Sequence, residues 1–193
     1  MFMDSSPFST TEPLIIADHS ALDLMNTVAI ADGKLVDFFQ TDSDVVRWLV
    51  RTGLADRSTV PQSGLLDAAK ALRETIRALV IQRKNGVQAD PTALNVFLAE
   101  ARRYSQLVWD EGETPHVERR WEQQTPGQLL APLAEAGAEL LSAVDFDLVR
   151  SCGNPECVRW FYDRTKSHRR RWCSMAVCGN RHKVAAFRRR RIE

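Results

Sequence analysis

Four cysteines carry the most legible chemistry in this chain of 193 residues. They form two pairs, Cys152/Cys157 and Cys173/Cys178, with four residues inside each pair and fifteen between the pairs. A closely spaced thiolate pair bends into a knuckle that aims both sulfurs at one ion, and two knuckles complete a tetrahedral shell. Gly153-Asn154-Pro155 and Gly179-Asn180 supply turn residues for such knuckles. The expected occupant is one structural Zn2+ held by Cys152, Cys157, Cys173 and Cys178. Four thiolates leave no open position for a reacting water, which disfavours a catalytic metal. Two disulfides and an iron–sulfur cluster are the competing uses of four cysteines. A cytoplasmic location disfavours the first, and the spacing disfavours the second. His168 and His182 are alternative ligands should a cysteine be spared.

The cations concentrate in the same stretch. Residues 152–193 hold 12 Lys and Arg against 3 Asp and Glu, whereas residues 1–151 hold 14 against 22. The overall net charge of +1 therefore hides a basic tail on an acidic body, a pattern that suggests a polyanionic partner. Candidate nucleic-acid contacts are Arg169, Arg170, Arg171, Arg181, Lys183, Arg188, Arg189 and Arg190. Guanidinium groups pair with phosphate bidentately, and each neutralised phosphate releases counterions. Trp160, Tyr162 and Trp172 are either stacking surfaces for bases or packing against the knuckles. The plain alternative for the charge run is a solvated face.

These residues need a frame. The segments 158–163 and 168–172 read as two strands around a turn at 164–167, and a helix is expected after Cys178. Knuckle, hairpin, knuckle, helix is the order of a treble-clef-like zinc finger. Upstream, Leu14-Ile15-Ile16 reads as a short strand and Ser20–Val28 as a helix. Asp32-Gly33 is a turn with an extended piece after it. Thr41 to Asp44 caps a helix that stops at Gly53. A long helix is predicted over 65–84 from the spacing of Leu65, Ala69, Leu72, Ile76, Leu79 and Val80. Asp90-Pro91 opens another, with Leu94, Phe97, Leu98, Ala101 and Tyr104 as its buried face. Alternation at Leu107/Trp109 and Val117/Trp121 predicts a β-hairpin. Thr125-Pro126 opens a last helix ending near Asp145. The fold class is α+β: a mostly helical N-terminal domain, 1–148, with one or two small β-hairpins, then the zinc finger, 149–193.

This N-terminal part shows no Gly-rich phosphate loop, no nucleophile elbow and no metal-type His pair, so an enzyme is not expected. Asp23 and Asn26 stand one helical turn apart and, with Arg73, are candidate ligand-binding residues. The alternative is that Asp23 and Asn26 tie local backbone. No apolar run approaches the ~18 residues that span a bilayer, and the expected location is the cytoplasm.

The stretch C-x4-C followed by W-F-Y-D-R-T-K-S-H-R-R-R-W-C-S-M-x-x-C-G-N-R-x-K closely resembles the CGNR zinc-finger family. Cys178-Gly179-Asn180-Arg181 is its name-giving tetrapeptide, and Asp163, Arg170 to Met175 and Lys183 match the surrounding pattern. Ala21-Leu-Asp-Leu-Met-Asn-Thr27 resembles the L-D-x-x-N-T motif of the ABATE domain that usually precedes that finger; Trp48 ahead of Gly53, and Ala71-Leu-Arg-Glu74, fit as well. The resemblance implies a bacterial, stress-induced transcription regulator whose finger binds DNA and whose N-terminal domain senses a signal such as a small molecule. Dimerisation on a two-fold site is a further expectation. An RNA-binding module and a protein-interaction or redox-sensing zinc module remain the alternatives.

Overall fold

The computed structural model describes residues 12–109, 112 and 114–184. Arg188, Arg189 and Arg190 therefore lie outside the described residues. By its internal contacts the chain forms two compact units, Met1–Gln40 with Val144–Glu193, and Thr41–Ala143.

The second unit is helical. α2 (Asp42–Arg51) starts at a capping box in which Thr41 and Asp44 satisfy each other's backbone amides. Asp42 of α2 also accepts from the Leu66 amide at 2.7 Å. It thereby caps α3 (Leu65–Lys84), whose buried residues match the predicted stripe. α5 (Pro126–Ser142) lies along α3, and Gly137 makes the approach close. A Cβ there would stand 2.9 Å from Ile76 Cδ1. α4 (Thr92–Ala99) packs on both. It is shorter than its sequence pattern suggests: Leu94 is buried, but the chain leaves the helix before Ala101, and Tyr104 is exposed on a strand.

The predicted hairpin forms from β3 (Arg103–Val108) and β4 (His116–Trp121). Alternation found the strands but not their burial. The facing pair Leu107 and Val117 is 66% and 65% exposed.

The first unit joins the two ends of the described chain. α1 (Ser20–Met25) gives way to β1 (Val28–Ala31), so the helix is shorter than the expected 20–28. β1 pairs with β2 (Lys34–Asp37) across Asp32-Gly33. Both turn residues have positive φ, 49° and 75°, as the tightest hairpin turn requires. Residues 14–16 form no strand. After a short 3-10 turn, β5 (Val149–Ser151) pairs antiparallel with β6 (Trp160–Tyr162). The expected hairpin of 158–163 with 168–172 is thus corrected: the partner of β6 precedes the first knuckle. The segment 168–172 is irregular because the Arg170 amide donates to the Asp163 carboxylate at 2.8 Å rather than to a strand carbonyl. A wide helical turn, Met175–Gly179, runs on as α-helix through residues 180–184.

Candidate metal centre and the basic face around it

The two knuckles bring the cysteines together. All four sulfurs lie within 4.8 Å of one another. Cys157 and Cys173 are 3.8 Å apart, and Cys173 and Cys178 are 3.5 Å apart. Zn–S bonds of ~2.3 Å in a tetrahedron place sulfurs about 3.8 Å apart, so the set fits one Zn2+. Contacts with Cys157, Cys173 and Cys178 pull the Cys152 thiol far below its usual range, and contact with Cys152 pushes Cys173 up. Thiols this close share their protons unevenly, and a bound cation is what lets all four ionise. When bound, the zinc supplies cross-linking of a segment too short to hold itself.

The knuckle residues serve the sulfurs directly. The Cys173 amide donates to Cys152 Sγ at 3.4 Å, and Asn154 Nδ2 points to Cys178 Sγ at 3.8 Å. Asn154 is buried, its Oδ1 accepts from the Glu156 amide, and its carbonyl accepts from Cys157. Gly153 donates its amide to the Arg171 carbonyl, and a Cβ there would sit 3.1 Å from that same oxygen. Gly179, of the tetrapeptide, leaves room for Met175 and the Trp172 ring. Cys152, Phe161, Cys173 and Cys178 form one buried cluster, against which Ile16, Cys157, Trp172 and Val177 pack.

Asp163 organises the loop between the knuckles. Its fully buried carboxylate accepts from the Thr165 amide and hydroxyl, the Arg170 amide and the Arg150 guanidinium. Burial alone would raise its pKa, but these donors prevail and hold it below the usual carboxylate range.

The expected nucleic-acid residues divide into two kinds. The Arg170 guanidinium is committed inside the protein. It donates to the carbonyls of Trp172, Ile16 and Cys173, pairs with Asp18, and lies 4.4 Å over the Phe161 ring. Arg169, Arg171, Arg181 and Lys183 are exposed, and among the described residues none pairs with a carboxylate. Arg171 lies 4.8 Å over Trp172, which also packs against His182 at 4.7 Å. A groove of about 680 Å3 runs past Thr165, Ser167, Arg169, Arg171 and Ser174.

The expected ligand-binding residues fall in different units, Asp23 and Asn26 in the first and Arg73 in the second. Asp23 Oδ1 accepts from the Ile16 and Ala17 amides, both at 2.9 Å. Burial nonetheless raises its pKa to about 6. Asn26 donates through Nδ2 to the Trp160 carbonyl at 2.8 Å and accepts the Trp160 amide at 2.9 Å. The Tyr162 amide donates to the Ala17 carbonyl at 2.8 Å. Asp23 and Asn26 thus finish the outer edge of β6. Arg73 belongs to the other unit, is buried, and donates to Glu74 at 2.9 Å.

Paired knuckles closing four cysteines on one ion define a zinc-finger protein, and a family model described as the CGNR zinc finger matches residues 149–191. A second model, ABATE, described as "putative stress-induced transcription regulator", matches residues 18–144. That match spans more than half of the chain, and the protein belongs to the ABATE family, with a CGNR finger after it. No curated protein matches the chain. No helix among the described residues is long and apolar enough to cross a membrane.

Proposed function

We propose that the protein is a cytoplasmic transcription regulator whose finger binds duplex DNA through phosphate contacts from Arg169, Arg171, Arg181 and Lys183. Arg188, Arg189 and Arg190, further along the sequence, add phosphate contacts in this reading. The observation that carries this reading is the set of exposed finger cations without acidic partners among the described residues, flanking a groove with hydroxyls suited to phosphate oxygens. In this reading residues 149–193 contact DNA, and residues 1–148 receive the signal, a small molecule or dimerisation being the form it takes. Asp23, Asn26 and Arg170 hold the finger in shape rather than touching ligand or DNA. Trp172 is engaged by Arg171 and His182, which favours duplex over single-stranded RNA.

The test is binding of the zinc-loaded chain to random-sequence duplex DNA across a salt series, with single-stranded RNA as competitor. Each lost phosphate contact lowers the salt slope by about 1. Arg169→Glu and Arg171→Glu should each do so without changing zinc content. Absence of binding at low salt, or preferential displacement by RNA, would overturn the reading.

A further inference from the structure

We propose that Arg159 is a counter-charge built into the metal centre, offsetting the negative charge of the zinc tetrathiolate and making its thiolates less reactive. The β5–β6 ladder pairs Val149 with Tyr162, Arg150 with Phe161 and Ser151 with Trp160. One more bond, from the Cys152 amide to the Arg159 carbonyl at 2.9 Å, extends it. Arg159 therefore stands directly across from Cys152. Facing residues place their side chains on one face with Cβ atoms about 5 Å apart. Alternation puts Arg159 on the same face as Phe161, which is fully buried in the cluster with Cys152, Cys173 and Cys178.

Arg159 is itself only 4% exposed. Among the described residues its Nε has no hydrogen-bond partner, and no carboxylate pairs with its guanidinium. Its neighbours differ: Asp163 has four donors, and Arg170 has carbonyls and Asp18. An uncompensated buried cation is among the most unfavourable features a fold can hold. Four thiolates on one Zn2+ carry a net charge of about −2, opposite in sign and on the face to which Arg159 belongs. Arg159 is not a ligand. It acts on the ligands through charge, as outer partners of metal sites do.

The proposal rests on the metal reading, so zinc stoichiometry of the wild-type full-length chain is measured first. A chain that binds no zinc sinks the metal reading itself. With zinc bound, Arg159→Met and Arg159→Lys are compared by chelator competition, by the rate of alkylation with N-ethylmaleimide, and by thermal unfolding with and without zinc. Arg159→Met should weaken zinc affinity by roughly 10–100-fold and speed alkylation of the zinc-loaded protein. Arg159→Lys, which keeps the charge, should stay within a few-fold of wild type. Without zinc, Arg159→Met should melt no lower than wild type, because it no longer buries an unpaired cation. Equal destabilisation with and without zinc, unchanged affinity and alkylation, or a lysine variant that behaves like methionine would each overturn the proposal.

Discussion

Asn26 does with one side chain what a neighbouring strand would do with its backbone. It satisfies both the amide and the carbonyl of Trp160. Asn26→Ala leaves both groups without that partner, and each orphaned group costs about 1–3 kcal/mol. A loss of roughly 2–4 kcal/mol is expected on that basis, measured by urea unfolding of the zinc-loaded chain. Asp23 makes a pH prediction. Its carboxyl is raised from 3.8 to about 6, chiefly by burial. The folded state therefore holds a proton that the unfolded state gives up between those values. The contribution is present below about pH 4 and lost as pH rises through about 6. At roughly 1.4 kcal/mol per pH unit this amounts to about 3 kcal/mol at most. Asp23→Asn keeps the Oδ1 acceptor and removes the titration, so its stability relative to wild type should improve from pH 4.5 to pH 7. Taking the difference between the two proteins cancels proton competition at the cysteines. The cysteines were legible because knuckle chemistry is local. Asn26 is legible only in part: tying local backbone, the alternative to a ligand site, holds for Asp23 at Ile16 and Ala17, but the Asn26 partner lies 134 residues away. For Arg170, composition records a guanidinium but not the four backbone and side-chain acceptors that hold it.

At the level of elements, the α3 boundaries follow from the stripe Leu65 to Val80 and the Asn85-Gly86 stop, both local signals. The β5–β6 pairing was missed because Val149–Ser151 is too short to show a period, and its partner lies beyond a knuckle. The segment 168–172 departs from a strand for another reason. Three arginines and a tryptophan fit an exposed strand, but the Asp163 carboxylate takes the Arg170 amide. Asp163→Asn tests that role. Its single acceptor oxygen cannot serve both Thr165, bonded to one carboxylate oxygen, and Arg150 and the Arg170 amide, bonded to the other, and bonds to a charged acceptor are worth about 1.5–3 kcal/mol. A drop of about 2–3 kcal/mol is expected, discounted from a fully buried pair because Arg150 is partly exposed, and read by denaturant titration. The packing of α5 on α3 gives a second prediction. Gly137→Ala gains up to about 1 kcal/mol of helix propensity. It also pushes a methyl against Ile76, which is fully buried, and overpacking costs typically about 1–3 kcal/mol. The second effect should win, lowering the melting temperature.

At the scale of the whole molecule, the acidic body and basic tail were plain in the sequence, and so were both family matches. The compact units were not. The match at 18–144 and the match at 149–191 suggest a cut near 148, yet residues before Gln40 form one unit with the finger. Zinc removal should therefore be felt at the other end of the chain. Chelation should release amide-exchange protection at Trp160 and Tyr162, and also at Ile16 and Ala17, whose amides Asp23 holds beside Arg170. Exchange confined to residues after 149 would contradict this.

The bond between Asn26 and Trp160 also sets a clock on synthesis. A ribosome adding about 5–20 residues per second makes Trp160 several seconds after Asn26. Until then Asn26, just after α1, has nothing to bind, and the segment that Asp23 holds at Ile16 and Ala17 has no strand beside it. Residues around Asn26 must wait for residues around Trp160 before their own unit closes. Thr41–Ala143 emerges in between and has all its helices in hand first. Zinc, whose four ligands begin at Cys152, arrives as the event that completes the unit holding α1.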